Sequence, residues 1–196
     1  MSQIAQQPYP FHDVIEDRAQ TPTKTKAINV QIGPGDPISN IPVVMEFEHH
    51  QVHEGETHEV FDEQLSLGTS TVKYAIVVPA AKYPHMVISC DATGGSAHIR
   101  LYEGATFTGG SAKTAYNINR NSLLTPGAAV TTGVTSINGT QVGSYLVGTS
   151  NQAGGSVRSA TERVLKANTT YRVDVEGLDA NVKAVVKFRW YEDLGV

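Results

Sequence analysis

Cysteine is almost missing from this chain, since Cys90 is the single one among 196 residues. One cysteine excludes an internal disulfide framework and suits assembly in a reducing cytoplasm. Long apolar runs are missing as well, because the longest, Tyr74 to Ala81, is far too short to cross a bilayer. The first residues lack a basic segment followed by an apolar core, so we expect no secretory signal.

Charge is also scarce. Lysine, arginine, aspartate and glutamate make up 17% of the residues, and the formal net charge is −4. The chain therefore shows no electrostatic footprint for nucleic acid or for an anionic membrane. At 196 residues it is long enough to bury a core, as one domain or one domain with an appendage. Its many Gly, Ser, Thr, Ala and Val residues favour all-β structure over helices.

Proline is concentrated near the N-terminus. Six of the nine prolines fall within residues 1–42, where each fixes φ and removes a backbone donor. This segment predicts neither a sustained helix nor a central strand, although the alternation over Ala27–Ile32 fits a strand. Its apolar side chains favour an extended arm that orders against a partner over a solvated tail. The anchors that we expect in this arm are Tyr9, Phe11, Ile28, Val30 and Ile32.

From Val43 onward the hydrophobic pattern has a period of two, which is typical of antiparallel strands with one buried face. Polar residues such as Arg172 and Asp174 fall between the apolar ones, on the opposite face. We predict that residues 43–196 form an antiparallel β-sandwich, jelly-roll-like and all-β. The runs that carry the pattern are Val72, Tyr74, Ile76 and Val78; Met86, Ile88 and Cys90; Ile99 and Leu101; Tyr171, Val173 and Val175; and Val182, Ala184, Val186, Phe188 and Trp190.

The middle of the chain, residues 104–155, has a different composition. It holds ten of the eighteen glycines, and Lys113 and Arg120 are its only charged residues. Its apolar side chains are sufficient for strands, so we predict long loops with one or two hairpins that project from the sandwich. Asn138-Gly139 is a good hairpin turn, because both residues accept positive φ.

Four of the seven histidines and five glutamates fall within residues 45–61. On a strand, His49 and His53 would share one face and His50 would lie on the other, while a turn at Gly55 would bring His58 back towards them. Metal sites need two to four converging N, O or S ligands. The spacing matches no helical zinc motif, so a polar strand–turn–strand is favoured over a metal site.

Catalytic signatures are missing. Cys90 shares the apolar face of its strand with Met86 and Ile88, as a small core residue does. No Gly-x-Ser-x-Gly elbow occurs, so we expect no enzyme and no cofactor. Carbohydrate binding is a rival, because sandwiches often present aromatic platforms, but Trp190 falls on an apolar strand face and is expected in the core. The remaining platform candidates are Tyr102, Tyr116, Tyr145 and Tyr191.

Several segments, taken in order, carry a resemblance. A His-rich run of the form HHxxHEG opens the β-domain, and a closing Trp-Tyr-Glu ends it. In this order the chain resembles a group of tailed-bacteriophage structural proteins over about residues 45–193, with the arm outside. The segments are Glu46 to Gly55, Ala97 to Gly104, Tyr116 to Ser122, Leu165 to Tyr171 and Trp190 to Glu192.

The resemblance implies a non-enzymatic virion protein, most like a head decoration or cement protein. Its expected partners are the major capsid protein and sister copies of itself, on the capsid surface after assembly in the host cytoplasm. Two alternatives stay open: another virion component, such as a head-fibre, tail or receptor-binding protein, and a carbohydrate-binding module. Besides the arm anchors, the expected partner contacts are His49, His50, His53 and His58.

Overall fold

The chain divides into two compact units, Met1–His53 and Glu54–Val196. The boundary between the units lies after His53, whereas the predicted proline-rich arm ends at residue 42. Three of the expected arm anchors, Tyr9, Phe11 and Ile32, lie outside the described residues. The computed structural model describes residues 23–30, 39–148, 155–157 and 162–194, and side chains within 50–148 and 162–192.

The first unit contains a two-stranded antiparallel ribbon in which β1 (Thr23–Val30) pairs with β2 (Ser39–Glu46). Ile28 stands opposite Ile41 in its register. β1 overlaps the strand predicted over Ala27–Ile32 but begins four residues earlier. β2 continues past residue 42, so the ribbon joins the proline-rich segment to the stretch that follows it.

The histidine-rich stretch forms a helix, α1 (Phe47–Glu54), so the strand predicted there is wrong. Val52 is the only β-branched residue in the segment, whereas glutamate and glutamine favour helices. Gly55 follows the helix with a φ of 77°, the left-handed conformation that commonly ends helices. His49 and His53 are four residues apart and therefore lie on one face of α1.

The second unit is built almost entirely of strands. Alternating side chains and frequent glycine turns keep most of them between two and eight residues long, and two strands reach twelve. They are β3 (Thr57–Gln64), β4 (Thr71–Val77), β5 (Lys82–Thr93), β6 (Ala97–Glu103), β7 (Ser111–Lys113), β8 (Tyr116–Asn117), β9 (Ala129–Thr132), β10 (Thr140–Val147), β11 (Gly155–Val157), β12 (Arg163–Val164), β13 (Thr170–Gly177) and β14 (Lys183–Leu194).

These strands form two packed antiparallel sheets, which confirms the predicted all-β sandwich. Sheet I has the order β10-β6-β13-β4-β9-β7. Sheet II has the order β11-β5-β14-β3-β8, and β12 also pairs with β5. The last two long strands of the chain occupy inner positions, because β13 lies between β6 and β4 and β14 lies between β5 and β3.

The core lies between the sheets and contains the apolar residues that the alternation selected. All five members of the β14 run are buried, including Phe188 and Trp190. The rings of Tyr74 in sheet I and Phe188 in sheet II lie 5.2 Å apart. Burying a side chain of this size stabilises the fold by about 1.5–3 kcal/mol.

Part of the outer face of sheet I is buried, although the alternation predicts that its polar residues face solvent. Arg172 and Asp174 are each only 5% exposed, and their Nε and Oδ1 atoms lie 2.9 Å apart. The Arg172 guanidinium lies 3.8 Å from the centre of the Tyr102 ring and donates to the carbonyl oxygen of Asn138 at 2.7 Å. Lys73 donates to the carbonyl oxygen of Ser136 at 2.7 Å, so residues 136–138 cover this part of the sheet.

The predicted Asn138-Gly139 hairpin is therefore wrong, because its two flanks pair with other strands. β9 pairs with β4 and β7, and β10 pairs with β6. Over residues 104–148, the middle segment does not project as hairpins either: it supplies β7, β9 and β10 to sheet I and β8 to sheet II. Buried Val130 and Val147 provide the apolar contacts that hold these strands in place.

A buried carboxylate joins the sheets. Asp62 of β3 accepts hydrogen bonds from the Tyr74 and Thr132 hydroxyls at 3.0 Å, from Gln64 at 2.8 Å and from Lys113. Burial by itself would raise the pKa of Asp62, but these hydrogen bonds outweigh it and hold the pKa below its usual value. Three of the donors, on β4, β9 and β7, belong to sheet I.

We predict that Asp62→Asn lowers the free energy of unfolding by on the order of 2–3 kcal/mol at neutral pH, because several buried donors lose a charged acceptor. The folded-state pKa of Asp62 is depressed, so its contribution is present above the unfolded pKa and is lost as the pH falls through the folded pKa. In denaturant titrations, the free energy of unfolding of the wild type should therefore fall more on acidification than that of the variant. Exposed Glu63→Gln on the same strand is the control; equal acid sensitivity of wild type and Asp62→Asn would contradict the assignment.

Candidate interaction surface

The expected contact residues that the structure describes are divided between the two units. Ile28 and Val30 lie on β1, and His49, His50 and His53 lie on α1, all in the first unit. His58 lies on β3 in the second unit. Among the residues that the structure describes, no three His, Cys, Asp or Glu side chains are grouped closely enough to hold a metal ion.

His58 is only 3% exposed, a position that does not suit direct contact with a partner. Its Nδ1 lies 3.0 Å from the carbonyl oxygen of Glu56 and its Nε2 lies 3.2 Å from that of Leu124. The centre of the Trp190 ring is 6.0 Å from the centre of the imidazole ring. His58 thus connects β3 to the loop 118–127.

The beginning of this loop is fixed by hydrogen bonds. The Ile118 amide donates to the carbonyl oxygen of Thr57 at 2.9 Å. The Asn117 side chain donates to the carbonyl oxygens of Gly55 at 2.5 Å and Leu124 at 3.2 Å. The loop therefore has a defined conformation although its sequence contains no periodic pattern.

Glu192 fixes the other end of the loop. Its buried carboxylate accepts from the amides of Gly127 at 2.8 Å and Ala128 at 2.6 Å, from the Trp190 indole at 3.1 Å and from Lys82 at 2.8 Å. Burial by itself would raise the pKa of Glu192, but these donors outweigh it and hold the pKa below its usual value. A charged acceptor at the end of β14 thus anchors the loop.

Between these anchors the loop displays apolar side chains to solvent. Leu123 is 96% exposed and Leu124 is 54% exposed. Nearby, the half-exposed rings of Phe61 and Tyr116 are 6.1 Å apart and within 24° of parallel, and the Arg120 guanidinium lies 5.5 Å from the centre of the Tyr116 ring. We call these five residues the β8 surface, because they lie on or beside the β8 edge of sheet II.

The β8 surface combines fixed backbone with exposed apolar groups. Exposed aliphatic side chains on a flexible loop lose conformational freedom when they bind, whereas a loop held at both ends has already lost part of it. Large exposed apolar patches in soluble proteins commonly mark interaction sites. Chemically, the arrangement can bind an apolar recess of another molecule.

Sequence reasoning missed most of this surface. Tyr116 was named as a possible carbohydrate platform, but Phe61, Leu123 and Leu124 were not singled out. The available signal was an adjacent pair of leucines in a nearly uncharged loop, where no alternating strand could bury both. Arg120 was noticed only as one of two charges in the middle segment.

Three of the four candidate platform tyrosines are engaged by neighbouring groups. Tyr102 lies beneath Arg172, and the hydroxyl of half-buried Tyr145 donates to the carbonyl oxygen of Ile88 at 3.1 Å. Tyr191 is buried and its ring stacks on that of His85, with centres 4.6 Å apart. Tyr116 therefore remains as the exposed aromatic candidate, paired with Phe61.

The second unit offers little for covalent chemistry in its described part. Cys90 is buried, and burial raises the pKa of its thiol to about 12, so it stays protonated at neutral pH. A shallow cleft of about 410 Å³ is lined by four serine and threonine residues, by Gln64 and Lys73, and by apolar residues that include Leu67 and Val134. Lys73 already donates to Ser136, and no pair of acid and base stands in this cleft.

Comparisons with known proteins identify no relative. The chain matches no protein-family model, no curated protein and no solved structure. Among the described residues, no helix has the length and apolar character needed to span a membrane.

We predict that Glu192→Gln makes amide hydrogen exchange at Gly127 and Ala128 about tenfold to a hundredfold faster, because a hydrogen bond to a charged acceptor contributes about 1.5–3 kcal/mol and tenfold corresponds to about 1.4 kcal/mol. Exchange in β13 should stay unchanged. Glu176→Gln is the control, since Glu176 pairs with Arg100 on the outer face of sheet I. Unchanged exchange at both loop amides would show that Glu192 does not anchor the loop.

Proposed function

We propose that this chain is a structural virion protein of a tailed bacteriophage, a decoration or cement protein that binds the assembled capsid shell and stabilises it. The resemblance over residues 45–193 supports the virion assignment. The observation that carries the binding role is the β8 surface, where Leu123 stands 96% exposed on a loop anchored at both ends. A protein that attaches to a preformed shell needs such a fixed, apolar contact.

The charge at the β8 surface suits a protein partner. This surface contains one cation, Arg120, and the whole chain has a net charge of −4, which favours neither nucleic acid nor anionic lipid as the partner. Aromatic side chains and arginine, here Phe61, Tyr116 and Arg120, are enriched in protein–protein contacts. The proposed partners are the major capsid protein and sister copies of this chain.

The ribbon of the first unit supports a second contact. An isolated two-stranded ribbon is only marginally stable in water, so it gains stability by pairing or packing with further chain. Its register places two isoleucines, Ile28 and Ile41, opposite one another. In this proposal the ribbon and the preceding residues form the arm that lengthens contact with the shell or with sister copies.

Carbohydrate binding is the second candidate, favoured by the near-parallel rings of Phe61 and Tyr116. Such a pair offers apolar faces on which a sugar ring can stack. Another virion role, in a head fibre or a tail receptor-binding protein, shares the resemblance but attaches elsewhere. Binding to purified shells, host cells and glycans separates the three.

We predict that Leu123→Asp weakens binding to purified capsid shells by at least about thirtyfold, because losing a central apolar anchor costs about 2 kcal/mol or more. Ile137→Asp is the matched control, since Ile137 is 93% exposed and belongs to residues 136–138, which cover part of sheet I. Circular dichroism and thermal melting should be unchanged in both variants. Equal shell binding by Leu123→Asp and wild type would exclude the β8 surface as the shell contact, and binding to glycans but not to shells would favour the second candidate.

Removal of Met1–His53 should also weaken shell binding while leaving the second unit folded, because its core is formed within Glu54–Val196. The measurement compares shell occupancy by the full chain and by the truncated chain at equal concentration. A thermal unfolding transition retained by the truncated chain is the control. Full occupancy without the first unit would remove the arm from the proposal.

A further inference from the structure

Asn138 and Gly139 are exposed in the segment that connects β9 to β10. The chain has nine asparagines, and Asn138 is the one that precedes a glycine. The backbone nitrogen of the next residue can attack an asparagine side chain, and glycine hinders this attack least because it has no Cβ. The sequence therefore favours cyclisation at Asn138 over cyclisation at the other asparagines.

The peptide group between Asn138 and Gly139 is bound by a buried cation. Arg172 is only 5% exposed, and its guanidinium donates to the Asn138 carbonyl oxygen at 2.7 Å. Cyclisation requires this peptide group to lose the proton of the Gly139 nitrogen, and resonance shares the resulting negative charge with the carbonyl oxygen. A hydrogen bond from a charged donor is strong, and a buried position strengthens it further. Arg172 therefore favours formation of the nucleophile.

The side-chain amide of Asn138 is held by Thr106. The Thr106 backbone amide donates to Oδ1 of Asn138 at 2.8 Å, and Nδ2 of Asn138 donates to the Thr106 hydroxyl oxygen at 2.7 Å. The Ser136 hydroxyl lies 3.4 Å from the same Oδ1. Donors that point at an oxygen on which negative charge develops act as an oxyanion hole. The fold thus supplies a donor for each of the two oxygens that gain charge in the reaction.

We propose that Asn138 is a site of spontaneous deamidation, which the fold promotes through Arg172 and Thr106. The Gly139 nitrogen forms a bond to Cγ of Asn138, the bond from Cγ to Nδ2 breaks, and the proton of the Gly139 nitrogen leaves with Nδ2 as ammonia. One water molecule then opens the cyclic imide and leaves aspartate or isoaspartate. Each event adds one negative charge to the segment that covers sheet I. The inference does not depend on the proposed attachment to a capsid.

Peptide mapping by mass spectrometry tests the site in the full chain, incubated in the folded state at mildly alkaline pH. Asn138 should convert at least about tenfold faster than Asn121, which corresponds to about 1.4 kcal/mol of activation free energy. Asn121 is the matched internal control, because it is also exposed but precedes Ser122. Isoelectric focusing should show an acidic species that accumulates in the wild type and not in Asn138→Gln. Conversion at Asn138 that is no faster than at Asn121 would overturn the proposal.

A synthetic peptide spanning residues 133–144 separates the contribution of the fold from that of the sequence. The peptide retains the Asn-Gly pair but lacks Arg172 and Thr106. Under the same conditions it should convert at least about tenfold more slowly than Asn138 in the folded chain. This comparison does not require an Arg172 variant to fold. A peptide that converts as fast as the folded chain, or faster, would show that the fold does not promote the reaction.

Discussion

Tyr74 is the side chain on which the arrangement of the two sheets depends most directly. It belongs to sheet I, yet its ring packs 5.2 Å from that of Phe188 and its hydroxyl donates to Asp62, both in sheet II. Burial, together with the neighbouring Asp62 charge, raises the pKa of Tyr74 far above its usual value, so the hydroxyl remains a donor. One residue thus supplies apolar contact and a charge-assisted hydrogen bond between the same two layers.

The β8 surface is a consequence of that fixed framework. Because the two sheets are held together, the start of β3 and the end of β14 are fixed in place. His58 and Glu192 lie at these two positions and bind the backbone at either end of the loop 118–127. The apolar side chains of the loop are left outside because the core is already filled by alternating strand residues. Preorganisation of this kind lowers the entropic cost of binding.

The alternation of β14 allowed the core to be predicted residue by residue, because a strand with a period of two has one inward face. The same rule failed for Arg172 and Asp174, since a segment distant in sequence covers them. α1 was missed because local helix preference and Gly55 outweighed a short alternation. Asn138-Gly139 is compatible with a tight turn, but tertiary packing determines which strands pair. Leu123 could not be assigned, because exposure in an aperiodic loop is a three-dimensional property.

The inner positions of β13 and β14 set the order in which this protein becomes structured. Both sheets need strands from the last quarter of the chain between their earlier members. β13 joins β4 to β6, and β14 joins β3 to β5, so neither pair is connected until the last quarter is present. Pairings so distant in sequence slow folding, because a long loop must close first. During synthesis the earlier strands can therefore form only separate ladders, such as β6 with β10 and β4 with β9, and a chain that stops before Lys183 lacks the central strand of sheet II.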